Sequence, residues 1–243
     1  MMSRYIVVFY CLIAISFLPS PYALANDQAE HRVVVELFTS QGCYSCPPAD
    51  EFLGDIAAKP GVIAFACHVT YWNYLGWRDT FSSSFCDQRQ ARYQRYMGRN
   101  NVYTPQMVVN GSYQGLGSDR RLMSAIIERL QQKPSMASIT ITSQGDQLHV
   151  DLPDIALTHP VQLWLLAVSG KQQLPIRRGE NGGKTLNYYQ PVLASQELGM
   201  WSGRGQQLNR TITPVDDVKQ WVVLAQSASL GPIVAAGVVN APK

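Results

Sequence analysis

The rhythm of apolar and polar positions changes near residue 135. Before it, apolar runs of strand length alternate with stretches of helical period; after it, short β-type runs follow one another. Residues 33–38 (VVVELF) and 62–69 (VIAFACHV) are nearly continuous apolar runs, the pattern of buried strands. Between them, ADEFLGDIAAK sets Phe52, Leu53 and Ile56 on one face of a helix. A second helix is expected from about Cys86 to Met97, and an amphipathic third from Asp119 to Gln131, stopped near Pro134. QMVVNGSYQGLG reads as two strands joined at Asn110-Gly111, a pair that tolerates the left-handed turn. TYWNYLGWRDTFSSS has no period and reads as an irregular, aromatic insertion.

Beyond the change of rhythm lie ASITITS, QLHVDL, VQLWLLAVS, LNYYQ, LNRTIT, QWVVLAQ and IVAAGVV, separated by Gly, Pro, Asn or Asp. A turn of helix is expected only near VLASQEL. The chain is therefore read as an α/β domain over residues 31–135 and an all-β domain over 136–243, sandwich-like or a partial barrel.

The extreme N-terminus departs from both patterns. Arg4, the apolar run YIVVFYCLIAISFL and the small residues Ala23-Leu24-Ala25 make residues 1–25 an expected export signal, which carries Cys11 away with it. The mature chain is then expected to be periplasmic or secreted, with no later segment apolar enough to span a bilayer. Its net charge, +3 for the whole chain and one less without Arg4, argues against nucleic acid or an anionic surface as partner. Cys43, Cys46, Cys67 and Cys86 remain, an even number for an oxidising compartment.

Candidate chemistry centres on TSQGCYSCPPAD, residues 39–50. Two cysteines at this spacing close a disulfide or grip a metal ion. Set between a strand and a helix, they match what a thioredoxin-like centre requires: Cys43, nearer the loop, attacks a partner disulfide, and Cys46 resolves the mixed disulfide. Such exchange needs the sulfur of Cys43 open to an incoming polypeptide. Pro47 and Pro48 move the expected helix start past the cysteines, and Asp50 and Glu51 then fill its first turn. The helix dipole favours a thiolate by roughly 0.3–1 kcal/mol and these acids oppose it by a similar amount, so the sequence leaves the thiol's acidity open. Downstream, Thr104-Pro105 precedes a strand, where thioredoxin-like domains carry a cis-proline beside the cysteines. Pro105 would face the disulfide, and the Thr104 backbone would pair with a partner's extended segment.

The segments VVELFTSQGCYSCPPAD, CHVTYWNYLGWRDTFSS, YTPQMVVNG and RRGENGGKTLNYYQPV, in that order, resemble the secreted bacterial thioredoxin-like family catalogued as domain of unknown function twelve twenty-three. The resemblance covers most of residues 33–240. It implies a thioredoxin-like N-terminal domain with a β-rich C-terminal one, brings no established reaction, and points to Cys43, Cys46, Thr104 and Pro105. Cys67 and Cys86 stand outside the shared pattern.

Other residues carry rival readings. Glu36, an acid inside an apolar strand, is either a buried proton relay behind the disulfide or a carboxylate at the edge or end of the strand, paired with a cation. Cys67 and Cys86 are expected as a second, structural disulfide, the alternative being two separate buried thiols. His68 with Cys43 and Cys46 would suit copper(I) or zinc, against the plainer reading of a packed histidine. Tyr71, Trp72, Tyr74, Trp77 and Phe81 line either a partner groove or a packed lid or seam. Arg89, Arg92, Arg95 and Arg99 read as a solvated basic stripe. GENGGKT lacks the spacing of a phosphate loop and reads as a glycine-rich turn. The expected function is an exported thiol–disulfide oxidoreductase acting on thiols or disulfides of other exported proteins without a dissociable cofactor. A metal chaperone and a binding module with an inert disulfide are the alternatives.

Overall fold

The computed structural model describes residues 32–134 and 136–242. The expected export signal lies outside the described residues. The architecture is mixed α/β with several sheets. Its first half runs β1 (Val33–Thr39), α1 (Pro47–Ala57), β2 (Val62–His68), a single 3-10 turn (Asn73–Leu75), α2 (Ser84–Tyr96), β3 (Gln106–Val109), β4 (Tyr113–Leu116) and α3 (Arg120–Gln131). These strands form a four-stranded sheet in the order β2-β1-β3-β4, with β1 and β2 parallel and β3 antiparallel to both its neighbours.

The apolar run of β1 is continuous because both its faces are covered. Val33, Val35 and Leu37 pack with Phe52, Leu53 and Ile56 of α1 and with Met123 and Ile127 of α3. The alternate residues point the other way. Val34 joins Ile63 and Phe65 against a second, five-stranded sheet, while Phe38 packs with Cys86 and Tyr93 of α2. Asn110 and Gly111 adopt φ of 49° and 67°, the left-handed pair that the hairpin needs, although three residues rather than two separate the strands.

The second half supplies β5 (Ala137–Ser138), β6 (Thr140–Gln144), β7 (Gln147–Leu152), β8 (Val161–Ser169), β9 (Gln172–Pro175), β10 (Thr185–Tyr188), β11 (Val192–Trp201), β12 (Gln206–Thr211), β13 (Val218–Gln226) and β14 (Ile233–Asn240). The five-stranded sheet is ordered β11-β8-β13-β14-β5 and a three-stranded one β12-β7-β6. Leu163, Leu165 and Ala167 of β8 face the three-stranded sheet, whereas Trp164, Leu166 and Val168 face Val34 and Phe65 of the first sheet. The five-stranded sheet is thus a shared middle layer. Each fully buried leucine or valine there contributes about 1.5–3 kcal/mol, so the two halves are joined by core and not by a linker alone.

The expectation of a helical turn at VLASQEL is overturned. Those residues lie in β11, paired antiparallel with β8 and interrupted by register shifts near Leu193 and Leu198. Their helix-forming composition is a weak preference, and pairing with β8 overrides it. The short β9 and β10 form a separate two-stranded hairpin, and β9 carried too few apolar residues to be read from sequence.

Candidate functional site

The cysteine pair sits where β1 hands over to α1. Cys46 is the N-cap of the helix, Pro47 opens its first turn, and the Cys46 carbonyl accepts from the Ala49 and Asp50 amides at 2.8 and 3.1 Å. Cys43 and Cys46 are joined in a disulfide. The expected open sulfur is not found: Cys43 is 1% exposed and Cys46 0%, while Tyr44 between them is 66% exposed. The main chain of this loop is bonded from the other half of the molecule. Asn181, fully buried, donates its side-chain amide to the carbonyls of Gln41 and Cys43 at 3.1 and 2.9 Å, and Glu180 accepts from the Tyr44 amide at 2.9 Å.

Behind Cys46 lies a buried polar chamber. Asp50, one helical turn on, shares the face of Cys46 and is only 2% exposed. His68, paired in register with Thr39 at the ends of the parallel strands, bonds Asp79 through Nδ1 at 2.8 Å. Tyr188 from β10 brings its ring to 5.5 Å from the imidazole. Thr39 Oγ1, Asp50 Oδ2, His68 Nε2 and Tyr188 OH are all buried without a hydrogen-bond partner in the chain, a rare concentration of unsatisfied groups. Burial pushes the Asp50 carboxyl up to about 7, against the pull of the His68 charge. For His68, burial draws the imidazole down, but the Asp79 carboxylate outweighs it and holds the group above its ordinary value. Asp79 is lowered in turn: burial raises it, and His68 with the Gln41 and Phe81 amides more than compensates. An acid that titrates near neutrality one turn from a cysteine can exchange its proton.

Thr104-Pro105 is a cis peptide next to this region. Trp72 packs against Gly42 and donates its indole N–H to Thr104 Oγ1 at 2.8 Å, tying the cysteine loop to the proline segment. Pro105 and Ala49 of α1 both crowd Gly117, where a side-chain carbon would lie 3.2 and 3.1 Å from theirs; only glycine permits that approach. The aromatic insertion divides. Trp77 donates to Gln41 at 2.8 Å and Phe81 packs edge-on against His68, whereas Tyr74 is 77% exposed.

Several expectations need correction. Glu36 is no free acid behind the disulfide: Arg89 grips it with two donors, and Arg89 also reaches Tyr93 and Gln226 at 3.2 and 2.9 Å. That is the ion-paired alternative, and it removes Arg89 from the solvated stripe, since a buried guanidinium needs such partners. The Cys/Cys/His metal set is not assembled. Both sulfurs are committed to each other, His68 is committed to Asp79, and among the described residues no cluster of three or more His, Cys, Asp or Glu is placed to hold a metal. Cys67 and Cys86 form a disulfide between β2 and α2, fully buried with Phe38, Val69 and Tyr93. Sequence reasoning missed Asp79, Asn181 and Tyr188, and it placed Asp50 only as a first-turn acid. The available signal was the resemblance itself: Asp79 lies in CHVTYWNYLGWRDTFSS, and Asn181 and Tyr188 lie in RRGENGGKTLNYYQPV.

Fold and site together define a mixed α/β protein with a bonded C-x-x-C pair at a helix start, backed by a buried acid. The chain belongs to the family described as Protein of unknown function (DUF1223), whose model matches residues 34–226. It is similar to protein AGR_C_4864 from Agrobacterium tumefaciens, known from an X-ray crystal structure, with 33% identity over 85% of this chain and 93% of that one and a TM-score of 0.73. A superoxide reductase (1Fe-SOR) from Giardia intestinalis matches at 11% identity over 45% of this chain and all of that one, with a TM-score of 0.22, too distant to bear on fold or chemistry. No curated protein matches the sequence significantly. Among the described residues no helix is long and apolar enough to cross a membrane.

Proposed function

We propose that this protein is an exported thiol–disulfide oxidoreductase whose first half is a thioredoxin-like domain. The observation that carries the reading is a bonded Cys43–Cys46 pair at the start of α1 with the buried Asp50 carboxyl one turn behind Cys46. The sheet order β2-β1-β3-β4, with β3 antiparallel, and the Thr104-Pro105 bond tied to the cysteine loop through Trp72 support it.

In the reduced protein the Cys43 thiolate attacks a partner disulfide. A Cys43–partner S–S bond forms, and one partner sulfur leaves as thiolate. Cys46 then gives its proton to the Asp50 carboxylate and attacks Cys43. The mixed disulfide breaks, and the second partner sulfur departs with the electron pair. In the opposite direction Asp50 returns the proton to Cys46 as it leaves. Asp50 therefore takes the role expected of Glu36, and of its neighbours His68 eases loss of its proton while Asp79 opposes it. Cysteines in partner proteins supply and accept all electrons, so the cycle needs no dissociable cofactor.

The near-complete burial of Cys43 favours a second reading, a binding module with an inert disulfide. Trapping separates the two. With Cys46→Ala, exported proteins are expected to accumulate as mixed disulfides on Cys43, and the wild type is expected to reduce insulin. Absence of both results would leave the inert module.

A further inference from the structure

The hairpin of β9 and β10 belongs to neither large sheet, yet its turn bonds the main chain of the cysteine loop at Gln41, Cys43 and Tyr44. Its turn, residues 176–184, is mostly exposed: Arg177, Arg178, Glu180, Gly182, Gly183 and Lys184 all face solvent. Ile176 and Asn181 are buried, and the Asn181 amide is held by Lys184, which donates to Asn181 Oδ1 at 3.0 Å and lies 4.5 Å above the Tyr44 ring. The rest of the hairpin rests on α1 through its rim. Asn187 and Tyr189 both donate to Glu51 at 2.9 Å, and the Tyr189 ring lies where a Gly54 side chain would begin, 2.6 Å from that position.

These contacts have a particular form. Asn181 supplies two donors to the carbonyls of Gln41 and Cys43, and Glu180 supplies an acceptor to the Tyr44 amide. Those are main-chain groups on either side of the nucleophile. An extended polypeptide laid beside Cys43 would offer the same kinds of donor and acceptor from its own backbone. The turn thus satisfies, within the chain, the hydrogen bonds that an extended partner would otherwise make. Polar contacts of this kind exchange at little net cost, unlike the apolar seam between the two large sheets.

We propose that the turn at residues 176–184 is a displaceable cover: it occupies the docking position of an extended partner polypeptide beside Cys43, and its release governs how fast the Cys43–Cys46 disulfide can be attacked. The partner class rests on the exchange reading, but the cover is testable without any protein partner. The water-soluble phosphine TCEP attacks Cys43 Sγ and breaks the S–S bond, and Cys46 leaves as thiolate and is protonated. Water then converts the thiophosphonium to phosphine oxide and frees the Cys43 thiol.

The full mature chain would be treated with TCEP, quenched by alkylation and mapped by mass spectrometry, so that Cys43–Cys46 and Cys67–Cys86 are followed separately. Asn181→Ala is expected to speed reduction of Cys43–Cys46 by about tenfold, as loss of two modest hydrogen bonds implies, with Cys67–Cys86 unchanged. Glu180→Ala, at an exposed site that folding tolerates, is expected to give a smaller acceleration in the same direction. Hydrogen exchange at the Tyr44 amide should rise in both variants. Folded variants whose Tyr44 amide exchanges faster while Cys43–Cys46 is reduced at the wild-type rate would overturn the cover. Trapping on Cys46→Ala reports on the exchange reading separately, because phosphine reduction requires no partner recognition.

Discussion

The two disulfides of this protein are equally hidden and differently built. Cys67–Cys86 joins β2, an outer strand of the first sheet, to α2 and is enclosed by Phe38, Val69 and Tyr93, so opening it means opening the core. Cys43–Cys46 lies in a loop whose main chain is bonded by side chains of one mostly exposed turn, with the buried Asp50 carboxyl one helical turn from Cys46. Burial alone therefore does not separate a structural bond from the one proposed to exchange. What distinguishes them is the nature of the cover: apolar packing is lost only with the fold, whereas polar contacts at a rim can be replaced one for one.

The comparison can be broken most decisively at the resolving thiol. Cys46→Ala is expected to abolish multiple-turnover exchange in an insulin assay while leaving the Cys67–Cys86 peptide cross-linked. Activity that survives would place the chemistry elsewhere. Next in size is Glu36→Ala, which strands the buried Arg89 charge and is expected to cost about 3–5 kcal/mol in urea unfolding. Its Cys43–Cys46 exchange rate per folded molecule should stay near wild type, because the ion pair lies on the α2 side of the sheet. Replacing both Cys67 and Cys86 by Ala is expected to cost roughly 2–4 kcal/mol of stability, again with exchange retained.

The most discriminating change is Asp50→Asn. Resolution of a Cys43 mixed disulfide should slow by about a hundredfold and lose its inflection near neutral pH, read by stopped-flow across a pH series. Stability gives an independent readout. The folded carboxyl titrates at about 7 against 3.8 for an ordinary aspartate, so the native state holds the proton more tightly than the unfolded chain. Its contribution is full below the unfolded value and is lost as pH rises through the folded one. Asn at this position should remove that decline, leaving the variant relatively more stable at pH 8 than at pH 4 in denaturant titrations. A decline of the same slope in both proteins would assign it to other groups.

Local pattern carried much of the first half. The runs at residues 33–38 and 62–69, the helix after the paired prolines and the Asn110-Gly111 turn each have one dominant local cause, and the strands, helix and turn lie where those causes put them. The β11 strand shows the limit. VLASQEL has helix-forming composition, and only its ladder with β8 makes it extended. Glu36 shows it at the site, because an acid in an apolar strand announces burial but not the partner it will meet. Arg89 is 53 residues away along the chain, too far for any spacing rule to connect them.

The sequence by itself determined the family, the cysteine pair and its place between a strand and a helix, because those depend on neighbours along the chain. Tertiary structure alone decided that Glu36 meets Arg89, that His68 pairs with Asp79, and that Asn181 bonds the Cys43 carbonyl. These contacts join residues 11 to 138 positions apart. Their energies arise from burial and from the matching of donors to acceptors, and neither exists until the sheets have closed over one another.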